Sequence, residues 1–188
     1  MQHKIQICLF AFLLYTFTVA AQRAVDPKWL KQAETALAIE MPTAETQWLA
    51  ERAYIGEVEM GFRRDTFRIR YTLCFLNNSL FEEQDSMEME ESKIDRYAAN
   101  LDWAASEYDR LITKYLGLTE SYYPLYINKA SLKKLWKSQK AWINYRDPFL
   151  ALYNSGSGFS IVSELRRKIN KERLLELYDF YEELSCVD

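Results

Sequence analysis

Two arginines interrupt helical stripes that are otherwise apolar. Arg146 follows Trp142 by one turn, and Arg173 falls between Ile169 and Leu177 on one helix face. A guanidinium trapped in a helix interface needs a carboxylate or several carbonyls around it. Removing one partner of a buried pair costs on the order of 3–5 kcal/mol. Asp147, Asp102 and Glu107 are the acids placed to reach these groups. A forked ion pair between Arg146 or Arg173 and one of them is expected, as a clamp on helix register or as part of a ligand site.

The sharpest charge feature is the run from Glu82 to Glu91, which carries Glu82, Glu83, Asp85, Glu88, Glu90 and Glu91. Near the start of a helix, carboxylates oppose the positive end of the dipole, so the run reads as a solvated helix start. The same patch could steer a basic partner, and it is the candidate partner-binding surface. It lacks the glycine and the spaced Asp/Asn pattern of a calcium loop, and no metal or cofactor site is expected. Asn77-Asn78-Ser79 matches a glycosylation sequon, a three-residue signal too short to argue from.

The single histidine is His3. Chemistry that depends on an imidazole (Ser-His and Cys-His nucleophiles, a histidine base, most transition-metal sites) therefore has no residue beyond the first few to carry it. Carboxylate catalysis survives that filter, although it needs two facing acids in a cleft. Cys74 and Cys186 are the cysteines outside the N-terminal segment. They could form one disulfide in an oxidising compartment or stand as separate thiols.

The elements that must position these groups are helices. Five glycines and four prolines in 188 residues leave few breakers, and no alternating strand pattern is sustained. Asp26 caps a first helix with Pro27 at its opening position, and Met41-Pro42 is expected to end it near Glu40. A second helix passes Trp48, Arg52 and Ile55. Beyond the glycines Gly56 and Gly61, a basic helix carries Arg63, Arg64, Arg68 and Arg70 up to a break at Asn77-Asn78-Ser79. The longest helix is expected from about Glu82 to Leu116, with Gly117 as its C-cap. Its stripe is Ile94, Tyr97, Ala98, Leu101, Ala105, Tyr108, Leu111, Ile112 and Tyr115. A second stripe runs through Leu132, Leu135, Trp136, Gln139, Trp142, Ile143, Arg146, Phe149 and Leu150, and a last one from Val162 to Leu184. These patterns predict an all-α, antiparallel bundle of three long helices plus shorter N-terminal helices. Trp103 and Tyr122-Tyr123 fall outside the stripes and are interface candidates.

Residues 1–21 read as a secretory signal: Lys4 at the start, an apolar run from Ile5 to Ala20, then small residues at Ala20-Ala21. Export to the periplasm or the exterior is expected, with residues 22–78 forming an N-terminal helical region and 79–188 a helical domain. No later segment is apolar enough to span a bilayer. The formal net charge of −3 falls to about −4 without Lys4, which argues against nucleic acid as a partner.

From Leu135 the chain reads Leu-Trp-Lys-Ser-Gln-Lys-Ala-Trp-Ile-Asn-Tyr-Arg-Asp, ending at Asp147. This resembles the L-x-x-x-Q-x-x-W-x-x-Y-R-D signature of the lysozyme inhibitor LprI-like N-terminal domain family. The resemblance takes in Gln139, Trp142, Tyr145, Arg146 and Asp147, the loop Gly156-Ser157-Gly158, and Arg173 in the following helix. It covers about Leu80 to Leu184, a little over half of the chain. Family members usually carry cysteines just after the Tyr-Arg-Asp motif and near the last helix; here those stretches hold Pro148, Phe149 and Leu150, then Val162 to Leu165, with no cysteine. Trp48 and Arg52 repeat the Trp142–Arg146 spacing, a match too short to separate from a chance pair. The resemblance implies an exported, non-enzymatic protein-binding module whose partner is a basic lysozyme-like enzyme. An immunity or accessory protein directed at another envelope partner is the alternative.

Overall fold

The computed structural model describes residues 24–52, 54–82, 89–126, 129–153 and 159–185. All of its regular elements are helices: α1 (Pro27–Glu51), α2 (Glu57–Glu82), α3 (Met89–Tyr126), α4 (Lys129–Tyr153) and α5 (Phe159–Ser185). Among the described residues no helix is long and apolar enough to cross a membrane.

Asp26 caps α1 as expected, its Oδ1 accepting from the Lys28 amide at 2.8 Å. Pro42 does not end that helix, which continues to Glu51. Pro42 and Ala38 are both exposed, so the carbonyl freed by the missing N–H faces water and not a dry interface. Gly56 stands just ahead of α2, where its carbonyl accepts from the Met60 amide at 2.8 Å. Asn77 does not break α2 either, because its Oδ1 accepts from Asn100 of α3 at 3.1 Å. A tertiary hydrogen bond there replaces the local backbone bonding that disfavours asparagine in helices. With neither break realised, α1 and α2 have 25 and 26 residues, close to the lengths of α4 and α5. α2 also runs unbroken across the expected 78/79 boundary. Gly117 lies inside the 38-residue α3 instead of capping it.

Successive helices run antiparallel. Phe62, Arg68 and Asn77 of α2 meet Tyr115, Glu107 and Asn100 of α3 in descending order. α3 and α5 share the widest interface and run parallel, since Ala105 pairs with Asn170 and Tyr115 with Tyr178. α4 is the return path between them, resting on α5 and on a narrower strip of α3. The core lies between α2, α3 and α5. There Phe62 stacks on Tyr178 with ring centres 3.8 Å apart and meets Tyr115 edge-on at 5.3 Å.

The α3 stripe from Ala98 to Tyr115 is buried, whereas Ile94 is 56% exposed and Tyr97 is also open to solvent. Both point along the correct face, but they lie level with the first turns of α5, where cover is incomplete. Trp103, read from sequence as an interface residue, is half-buried and packed against the core.

Candidate functional site

The two arginines meet in a polar seam where α4 crosses α3 and α5. Arg146 donates through Nη1 to Asp109 Oδ1 at 2.5 Å and to Asn170 Oδ1 at 3.2 Å, and through Nε to Asp147 Oδ1 at 2.7 Å. Its guanidinium lies 4.6 Å from the centre of the Trp142 ring, in cation–π range. Asn170, fully buried, donates in turn to the Ala105 carbonyl at 2.9 Å. Asp109 also accepts from Arg166 at 3.4 Å. Burial opposes the charge on Arg146, but the hydrogen bond it donates to Asp147, the charge of Asp109 and the remaining contacts outweigh it and raise its pKa above the usual arginine value.

One turn further along the seam, Arg173 donates to Gln139 Oε1 at 3.0 Å, to Ser138 Oγ at 3.2 Å and to Glu176 at 2.9 Å. Gln139 is buried, as is Arg173. The Arg173 guanidinium lies 6.0 Å from the same Trp142 ring. One indole thus serves both cations, and the spacing Gln139, Trp142, Arg146 follows from lining one face of α4.

The expectation of a forked acid is met only in part. Asp147 does bind Arg146, but the acid that crosses the helix interface is Asp109. Asp102 forms no ion pair among the described residues. Glu107 is taken by Arg68 of α2 and by Arg110. The reason is angular. Asp109 follows Asp102 by two turns on the same face, while Glu107 lies about 160° around the helix and faces α2. Among the described residues Arg173 has no acid from another helix, and its partner Glu176 is an exposed neighbour on α5 itself. Asn170 was missed because an asparagine beside Ile169 gives no periodic signal distinct from its neighbours.

Tyr145 does not join the seam. It is exposed and stacks on Phe149 with ring centres 5.4 Å apart, and Phe149 meets Tyr153 at 5.4 Å. Leu152 is 73% exposed beside this ladder. Between α3, α4 and α5 lies an open groove of about 430 Å³, lined by Asp102, Arg146, Asp147, Leu150, Ala151, Val162, Ser163 and Arg166.

Other expected sites fall elsewhere. The side chains of the acidic run, Glu82, Glu83, Asp85, Glu88, Glu90 and Glu91, lie outside the described residues, as do those of Tyr122 and Tyr123. Cys74 is an exposed free thiol on α2, and Cys186 lies outside the described residues. Arg52 pairs with Glu59 and is exposed, unlike Arg146. Among the described residues no three His, Cys, Asp or Glu side chains gather as a metal site would require.

No protein-family model, curated protein or solved structure matches the chain.

Proposed function

We propose that the chain is an exported protein-binding module that occludes a basic, lysozyme-like enzyme without itself catalysing a reaction. The observation that carries this reading is the Tyr145–Phe149–Tyr153 ladder with Leu152, exposed on a helix whose other face is pinned by the polar seam. Aromatic side chains are the ones interfaces favour, and a pinned helix loses little further freedom when it docks. The acidic run leading into α3 adds long-range attraction for a basic enzyme. Asp147 and Asp102 both line the groove, but Asp147 is tied to Arg146 at 2.7 Å, which favours the binding reading over a carboxylate enzyme.

The test combines a lysozyme assay at low and high salt with photo-crosslinkers placed at Tyr145 and Leu152, and at Ile39 on α1 as a control. Inhibition that weakens with salt, with adducts from α4 and none from Ile39, is expected. Uninhibited lysozyme together with a specific α4 adduct to another envelope protein would move the reading to the immunity or accessory class. Adducts from all three positions alike, or none, would overturn it.

A further inference from the structure

We infer, on the footing that the chain binds a protein, that the groove between α3, α4 and α5 is a receptor for one basic side chain of that partner, a guanidinium or ammonium group. Its polar walls come from three helices: Asp102 from α3, Arg146 and Asp147 from α4, Ser163 and Arg166 from α5. Three carboxylates and two guanidiniums meet at or just behind these walls. Asp109 answers both Arg146 and Arg166, and Asp147 answers Arg146 a second time. Asp102 is left with no ion pair among the described residues, so the groove carries one negative charge in excess.

An incoming cation finds that carboxylate already held on a rigid helix. It also finds Asp147, with only Oδ1 engaged by Arg146, on the opposite wall. An anion entering the same space would meet Asp102 uncompensated, and an apolar group would strip water from four charged side chains without replacing their hydrogen bonds. Leu150, Ala151 and Val162 supply the apolar lining along which the methylene stem of a lysine or arginine can lie. The Tyr145–Phe149 ladder is carried on the same helix, so a partner seated on the ladder can send such a side chain inward.

The probe is N-acetyl-argininamide, titrated into isotopically labelled full chain and followed by amide chemical shifts. Neutral N-acetyl-alaninamide and anionic N-acetyl-glutamyl amide serve as controls. Shifts centred on Ala151 and Ser163, produced by the cation alone, are expected. They should weaken about two- to fivefold in Asp102→Asn, the loss of one partly screened charge pair. Ala151→Arg, which carries its own guanidinium to the groove mouth, should abolish them and covers the case in which Asp102→Asn fails to fold. Equal shifts from all three probes, strongest shifts from the anion, or an unchanged response in both variants would overturn the assignment. The same variants separate this inference from the wider reading. If lysozyme binds wild type and Asp102→Asn equally, the groove assignment falls while protein binding stands. If the cation enters the groove and lysozyme does not bind, the groove stands and the lysozyme partner falls.

Discussion

Replacing Arg146 with alanine removes the busiest member of the seam. The Arg146 side chain is 11% exposed and Asp109 is 30% exposed, so the pair is partly dry, and the full 3–5 kcal/mol of a completely buried pair is not reached. Asp147 is exposed and regains water freely, so its share is small. Among the described residues Asp109 keeps only Arg166, at 3.4 Å. A charged hydrogen bond contributes roughly 1.5–3 kcal/mol, and the stacking on Trp142 adds about 0.5–1 kcal/mol. Solvent at Asp109 takes part of this back, leaving about 2 kcal/mol. For a chain of this size that is a fall in Tm of about 4–8 °C. Arg146→Lys keeps the charge but loses the fork and the stacking, and should recover less than half. A double-mutant cycle with Asp109→Asn should give a coupling of at least about 1 kcal/mol by urea unfolding. A Tm change under 1 °C for Arg146→Ala, or a coupling indistinguishable from zero, refutes the clamp.

Arg173→Ala leaves the buried Gln139 without its donor and should cost about 1–3 kcal/mol by thermal unfolding. Phe62→Ala opens the Phe62–Tyr115–Tyr178 cluster and should cost about 3–5 kcal/mol. Gly61 and Gly117 lie within helices with nothing within 4 Å of an added Cβ, so alanine at either should raise stability by about 0.5–1 kcal/mol in denaturant unfolding. Burial raises the pKa of Tyr108, Tyr115 and Tyr178 above the ordinary tyrosine value. The unfolded chain therefore gives up these protons near pH 10 while the folded chain keeps them. Their stabilisation is complete below about pH 10 and falls above it by about 1.4 kcal/mol per pH unit for each tyrosine. Circular dichroism melts from pH 8 to 12 should show a steep decline above pH 10, and a constant Tm up to pH 11.5 contradicts the burial argument.

The helical class was legible because period-3.6 stripes such as Ala98 to Tyr115 are long enough to exclude strands. The boundaries were not, and the cause is the same at each miss. Pro42, Asn77 and Gly117 carry local breaking tendencies of a few kcal/mol at most, and solvent access or a tertiary partner outweighs them. The seam was half legible. An arginine on an apolar stripe announces a buried cation, and Gln139, Trp142, Arg146 and Arg173 do converge. Which acid answers depends on axial level and rotation between two helices, quantities that a one-dimensional pattern does not contain. Hence Asp109 was passed over for Asp102 and Glu107. The Tyr145–Phe149–Tyr153 ladder was hidden for a different reason, since it sits beside the α4 stripe at spacings that also suit a core.

The parallel pairing of α3 with α5 sets an order of events during synthesis. Tyr115 cannot meet Tyr178 until the ribosome has added 63 further residues, roughly 3–13 s at ordinary elongation rates. Throughout that interval the apolar stripe of α3 has α2 on one flank and, on the other, no more than the narrow contact with α4. A nascent chain of this kind is a natural client for a holdase, and a truncation before α5 should yield aggregates where the whole chain yields monodisperse protein.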